Sequence, residues 1–76
     1  MMNQKLVEIA AQAIKVSIED AQKHCKPVAE INGYYFWNPV RGGLSVLINA
    51  QGERLIATSS VSFDKHLRVF QEGKRN

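Results

Sequence analysis

The sequence predicts a single small domain of the α+β class over residues 1–76, with a long N-terminal helix, a three- to four-stranded antiparallel β-meander and a short C-terminal helix. Three observations predict this α-β-β-β-β-α order. Apolar residues recur at spacings of three and four near the N-terminus, apolar and polar residues alternate in the middle, and a short amphipathic segment follows a serine-rich stretch. The first and third patterns are typical of helices, and the second is typical of strands.

The first helix is predicted over residues 3–24. Its apolar stripe comprises Leu6, Val7, Ala10, Ala13, Ile14, Ser17, Ile18 and Ala21. No glycine or proline interrupts the stretch, and Pro27 ends it because a proline restricts the residue before it to extended conformations. Such a stripe occupies one side of a helix, which we expect to pack on the sheet. The expected contacts join Leu6, Ala10, Ile14 and Ile18 to Tyr34, Phe36, Val46, Ile48 and Leu55.

The dipeptide Asn32-Gly33 predicts a hairpin that joins residues 28–31 to residues 34–38. A two-residue turn of type I′ needs positive φ at both positions, and Asn followed by Gly satisfies this best. The turn would set Ile31 opposite Tyr34. Aromatic residues crowd the second strand of this hairpin, which favours an extended conformation.

The dipeptide Gln51-Gly52 predicts a second hairpin, between residues 44–49 and residues 53–59. A two-residue loop sets Ile48 opposite Leu55 and keeps apolar side chains together on one face of the sheet.

A three-residue loop closed by a glycine bulge is the alternative for this hairpin. It would set Ile48 against Arg54, so we prefer the two-residue loop. In the preferred register one face carries Leu44, Val46, Ile48, Leu55 and Ala57, and the other carries Ser45, Leu47, Asn49, Arg54, Ile56 and Thr58.

A last helix of about ten residues is predicted after Ser62, whose hydroxyl can cap its first turn. Phe63, Leu67 and Phe70 recur at spacings of four and three, and Gly73 is the expected left-handed residue after its end. Residues 74–76 are expected to form a frayed basic tail.

Composition narrows the classes of function. The net charge is only +3, and the basic residues are scattered along the chain. A nucleic-acid interface usually has a dense basic stripe. No apolar run is long enough to span a bilayer, and no signal peptide is recognised. The single cysteine, Cys25, cannot form an internal disulfide, so we expect a structural thiol and a cytoplasmic protein without a membrane role.

Catalytic and metal chemistry find little support. His24 and Cys25 are adjacent and would diverge on a helix, so they cannot act as base and nucleophile. Ser62 and His66 are one helical turn apart, but Asp64 faces elsewhere, so we expect a capping serine and an exposed histidine. No histidine or cysteine spacing suits zinc. We expect no enzyme and no catalytic, cofactor-binding or metal-binding residue.

The loop Arg41-Gly42-Gly43 offers a guanidinium and backbone amides that can bind an anion. It matches no phosphate-binding motif, and a helix does not follow it. We therefore expect an ordinary flexible loop, with anion binding as the alternative.

The aromatic strand contains the best candidate for function. Alternation assigns Tyr34 and Phe36 to the core, and Tyr35 and Trp37 to the reverse face of the sheet. That reverse face also collects Val28, Leu47 and Ile56, which is more apolar surface than a monomer usually leaves exposed. Either one helix covers each face, or both helices cover one face and the other meets a partner.

We therefore expect a protein-interaction module that associates with a partner or with itself, as a homodimer. The expected contact surface is the reverse face with Tyr35, Trp37, Leu47 and Ile56. Weak binding of single-stranded nucleic acid is the alternative, because bases stack on aromatic side chains and cations hold the backbone. The cations concerned are Arg41, Arg54 and those of the basic tail.

Overall fold

The computed structural model describes residues 4–39, 43–58 and 60–75. Its helices are α1 (Gln4–Ile14), α2 (Ile18–Lys23) and α3 (Phe63–Gln71), and its strands are β1 (Cys25–Val28), β2 (Gly33–Trp37), β3 (Leu44–Asn49) and β4 (Arg54–Thr58). The four strands form one antiparallel sheet in the order β1-β2-β3-β4. The predicted α+β class, the meander and the helices at either end are confirmed.

The N-terminal helical region is two helices, so the prediction of one continuous helix is wrong. Lys15 adopts a left-handed conformation with φ of 60°, and Val16 donates its backbone N–H to the Ala11 carbonyl at 3.0 Å. This bond closes α1 in the manner of a Schellman motif. Ser17 then caps α2 by accepting the backbone N–H of Asp20 at 3.1 Å. Because serine bonds readily to nearby backbone, it begins a new helix more easily than it continues an old one.

Helix α1 packs on the face of the sheet that we call the α1 face, which carries Tyr34, Phe36, Leu44, Val46, Ile48 and Ile56. The fully buried members of this core are Leu6, Val7, Ala10, Ala11, Ile14, Ala21, Phe36, Val46 and Ile48. The break after α1 removes one expected member, because Ile18 begins α2 and is 39% exposed.

The first hairpin has a four-residue loop, so the predicted two-residue turn is wrong. Strand β1 ends at Val28, residues 29–31 form a 3₁₀ turn, and Asn32 alone is left-handed, with φ of 52°. Gly33 is already part of β2 and lies opposite Val28. The new register differs by an even number of residues, so Val28 still shares a face with Tyr35, as predicted.

The second hairpin has the alternative three-residue loop, so the predicted two-residue loop is wrong. Gly52 has φ of +86°, as a glycine bulge requires. The Asn49 side chain accepts the backbone N–H groups of Gln51 and Glu53, at 3.1 and 3.0 Å, and donates to the Glu53 carboxylate at 2.8 Å. These local bonds outweigh the segregation of apolar from polar side chains.

As a consequence, the register between β3 and β4 differs by one residue from the predicted one. Every side chain of β4 therefore lies on the opposite face from the one predicted. Ile48 lies opposite Arg54, and Leu47 lies opposite Leu55. Leu55 therefore leaves the α1 core that was predicted for it, and Ile56 joins that core instead.

Helix α3 begins and ends as predicted. The Ser62 hydroxyl accepts the backbone N–H of Lys65 at 3.3 Å, and Gly73 follows the helix with φ of +102°. The helix covers the second face of the sheet, which we call the α3 face. Its core comprises Val28, Leu47 and Phe70, with Ile31, Tyr35, Leu55, Phe63 and Leu67 packed against them. One helix on each face therefore leaves neither face fully open.

Arg75 ties the end of α3 to the second hairpin. Its guanidinium carbon lies 3.7 Å from the centre of the Phe70 ring, and it donates to the Phe70 carbonyl at 2.7 Å. It also lies 3.7 Å from the carboxylate of Glu53. The fraying expected of residues 74–76 stays a prediction, and Asn76 lies outside the described residues.

Candidate functional site

The sequence assigned six residues to an interaction surface, and the structure separates the five that it describes, which are all except Arg41. Tyr35 and Trp37 lie on the α3 face and are half-buried, as alternation in β2 requires. Leu47 shares that face but is 0% exposed, because α3 covers it. Of the described residues predicted for the interaction surface, the aromatic pair therefore remains accessible on the α3 face.

Two of the remaining residues do not join this pair. Ile56 and Arg54 project from the α1 face, on the opposite side of the sheet, because of the one-residue change of register in the second hairpin. Arg41 and Gly42 of the loop for which anion binding was the alternative lie outside the described residues, so that expectation stays a prediction.

Tyr35 is the centre of an aromatic cluster at the N-terminal end of α3. Its ring stacks on that of Trp37, with centroids 5.7 Å apart and planes at 27°. Phe63, the first residue of α3, meets the Tyr35 ring edge-on at 4.8 Å. His24 meets the Trp37 ring edge-on at 6.0 Å. The neighbouring rings hold the aromatic pair in one orientation while leaving part of its surface exposed.

A groove of about 370 Å³ lies beside this cluster, and we call it the aromatic groove. Its lining residues are Tyr35, Trp37, Asn38, Pro39, Gly43, Leu44, Ser45 and Val61. Strands β2 and β3 form its floor, and the segment that leads into α3 forms one wall. None of the lining residues that the structure describes carries a charge.

The aromatic pair presents polar groups as well as ring surface. Neither the Trp37 indole N–H nor the Tyr35 hydroxyl has a hydrogen-bond partner among the residues that the structure describes. An indole nitrogen can only donate, and a phenol donates readily. Both are thus available to acceptor atoms of a ligand.

Lys26 adds the nearest positive charge. Its ammonium lies 3.8 Å from the centre of the Phe63 ring and 5.8 Å from that of Tyr35. This is the geometry of a cation–π contact, and the lysine remains exposed to solvent. The aromatic cluster therefore has a positive charge beside its Tyr35 and Phe63 rings.

Beneath the groove a serine and a histidine form a buried polar link. His66 is 1% exposed, so the expectation of an exposed histidine is wrong. Its Nε2–H donates to the Leu55 carbonyl at 2.7 Å, and its Nδ1 lies 3.5 Å from the Ser45 hydroxyl. Both side chains are buried, and the pair links α3 to β3 and β4.

This link makes the stability of the fold depend on pH. Burial lowers the pKa of His66 below its usual value of 6.5, and the hydrogen bond to the Leu55 carbonyl opposes this only in part. The unfolded chain therefore binds more protons than the folded chain just below pH 6.5. We expect the free energy of unfolding to be highest above pH 6.5 and to decrease as pH falls from there to the folded-state pKa.

The measurement is urea denaturation over that pH range with two matched variants. His66→Gln should lose this part of the pH dependence, whereas His24→Gln should retain it. An unchanged pH dependence in His66→Gln would show that the buried imidazole is not responsible.

The remaining chemistry is sparse. Within residues 4–39, 43–58 and 60–75, no group of three or more histidine, cysteine or acidic side chains is placed to hold a metal ion, and no helix is long and apolar enough to cross a membrane. Cys25 donates from its Sγ to the Gln22 carbonyl at 3.4 Å, and burial raises the pKa of the thiol. A raised pKa leaves less of the reactive thiolate.

Comparisons with protein-family models, with curated proteins and with solved structures find no match to this chain. The fold and the groove define a three-layer α+β domain with an aromatic groove at one end of α3. Sequence reasoning found the aromatic pair but missed Lys26, Phe63 and Val61. These residues come from β1 and from around the start of α3, and no local pattern relates them to β2.

Proposed function

We propose that this chain is a small protein-interaction module that binds a short segment of a partner protein in the aromatic groove. The observation that carries the proposal is the aromatic pair, in which Tyr35 and Trp37 are half-exposed with unpaired polar atoms. Tyrosine and tryptophan with one apolar surface and one free donor are enriched at protein interfaces.

Self-association through the whole reverse face is less well supported than binding of a segment. A stable interface buries roughly 800 Å² per partner, about one sixth of the 4773 Å² that this chain exposes. Leu47 would contribute to such an interface only if α3 moved away. A short ligand needs only the surface around Tyr35 and Trp37.

Binding of single-stranded nucleic acid is also less well supported. It was expected to combine the aromatic pair with Arg41 and Arg54, but Arg54 is on the other side of the sheet. Lys26 is the described cation in contact with the aromatic cluster, and one cation gives weak attraction to a phosphate backbone.

The proposed setting is the reducing cytoplasm. Cys25 is a free thiol that donates a hydrogen bond within the fold, and no disulfide is needed to hold the elements together. This is the cysteine usage of proteins that work in a reducing compartment.

Selection from a random peptide library tests the proposal, with wild-type protein and a Trp37→Ala variant as parallel targets. We expect recurrent sequences that bind wild type and lose at least about tenfold in affinity on Trp37→Ala, since buried tryptophans are often worth more than 1.4 kcal/mol at interfaces. Ile18→Ala is the control, because Ile18 is exposed on α2 and does not line the groove.

Circular dichroism establishes that each variant is folded, and light scattering measures the oligomeric state. Selection that yields no recurrent peptide, or peptides that bind Trp37→Ala as well as wild type, would refute the proposal. A dimeric wild type that becomes monomeric on Trp37→Ala would refute it in favour of self-association.

A further inference from the structure

We propose that the ligand of the aromatic groove is a proline-rich segment in the polyproline II conformation, with an acidic residue beside the prolines. This inference rests on the proposed function and names the chemistry of the partner. It depends on four properties of the groove: its position on an inner strand, its size, its hydrogen-bonding atoms and its charge.

The position of the groove excludes recognition by strand addition. Tyr35 and Trp37 belong to β2, which is paired with β1 on one side and β3 on the other. The backbone of β2 therefore offers no free edge on which an extended peptide can form a further strand. A ligand over these residues must be recognised through side chains.

The size of the groove favours a narrow ligand over an amphipathic helix. A helical ligand needs a long apolar channel with anchor positions over at least two turns. The aromatic groove is about 370 Å³ and is bounded by Val61 and by the Asn38-Pro39 segment. It holds a few residues of a narrow, extended ligand.

The hydrogen-bonding atoms match a proline-rich chain. Polyproline II makes no internal hydrogen bonds, so its carbonyl groups remain free, and proline has no N–H. A site for such a ligand must supply donors. The Trp37 indole N–H and the Tyr35 hydroxyl supply two donors, and neither has a partner among the described residues.

The charge beside the groove favours an acidic residue next to the prolines of the ligand. The described lining residues are uncharged, while Lys26 lies at the Tyr35 and Phe63 rings. Asp64 and Lys65 follow Phe63 in the first turn of α3, so this end of the helix has two lysines, Lys26 and Lys65, and one acidic residue. An acidic side chain next to the prolines would be attracted to Lys26.

The test is a titration with synthetic peptides followed by Trp37 fluorescence, since Trp37 is the only tryptophan of the chain. The probes are decaproline, decaproline with two terminal glutamates, a glycine-serine peptide of equal length, and oligothymidine. We expect both proline peptides to change the emission saturably, the acidic one more tightly, and the other two to have no effect.

Conservative variants test the Tyr35 donor and the Lys26 charge. Tyr35→Phe removes only the hydroxyl and should weaken decaproline binding about 3- to 10-fold, the usual worth of one hydrogen bond. Tyr34→Phe makes the same change on the α1 face and should leave binding unaltered. Lys26→Gln should abolish the preference for the acidic peptide while decaproline still binds.

Each other outcome contradicts the inference in a distinct way. If decaproline behaves like the glycine-serine peptide, or if Tyr35→Phe and Tyr34→Phe bind it equally well, the groove does not recognise polyproline II. If library selection yields Trp37-dependent ligands without proline, the interaction function stands and this inference is wrong. If only oligothymidine binds, both are wrong.

Discussion

Replacement of Gly33 by alanine is expected to destabilise the domain by at least about 3 kcal/mol, near the upper end for overpacking. A Cβ at this position would overlap the Ile48 carbonyl oxygen and lie 2.7 Å from the Asn49 Cα. These are backbone atoms of a paired central strand, so they cannot move aside cheaply. For a domain of this size the melting temperature should fall by more than about 12 °C.

Gly73→Ala is the matched control for this prediction. Gly73 has φ of +102° but no neighbour within 4 Å of an added Cβ, so it reports the cost of a left-handed backbone alone. We expect that cost to be about 1–2 kcal/mol. If Gly33→Ala costs no more than Gly73→Ala, the close approach of β2 and β3 at Gly33 is absent and the predicted type I′ turn becomes the better explanation.

Replacement of Leu47 by aspartate is expected to unfold the domain. Leu47 is fully buried between the sheet and α3, and truncation of such a leucine alone costs about 2–5 kcal/mol. A carboxylate there would also lose its hydration without gaining a partner. A domain of this length has a total stability of roughly 4–11 kcal/mol, so the loss removes most of it.

Ile18→Asp is the matched substitution, and it should be tolerated within about 1 kcal/mol. Ile18 is 39% exposed at the first position of α2, where the helix dipole favours a carboxylate. Urea denaturation followed by circular dichroism measures both variants. A Leu47→Asp protein with the wild-type midpoint would show that α3 does not cover this face. It would restore Leu47 to the interaction surface that the sequence predicted.

Predictions from local chemistry succeeded at several positions. Ser62 begins α3 and Gly73 ends it, because capping depends on a few neighbouring residues. Alternation in β2 correctly placed Phe36 in the α1 core and Tyr35 on the other face. Each of these features depends only on residues within one short stretch of sequence.

Predictions from apolar pattern failed where a polar side chain acted locally. The apolar stripe runs from α1 into α2, but Ser17 bonds to the backbone and begins a second helix. Apolar segregation favoured a two-residue loop, but the Asn49 side chain bonds to Gln51 and Glu53 and holds a three-residue loop. A periodic pattern contains no information about these bonds.

The sequence by itself determined the order of helices and strands, the ends of α3 and which residues of β2 share a face. Periodicity and capping are local properties, so they can be read from neighbouring residues. Only the tertiary structure decided that α3 covers Leu47 and that Phe63 and Lys26 complete the aromatic cluster. These contacts join residues far apart in the chain, and a one-residue change of register in β4 was enough to move Arg54 and Ile56 to the other face.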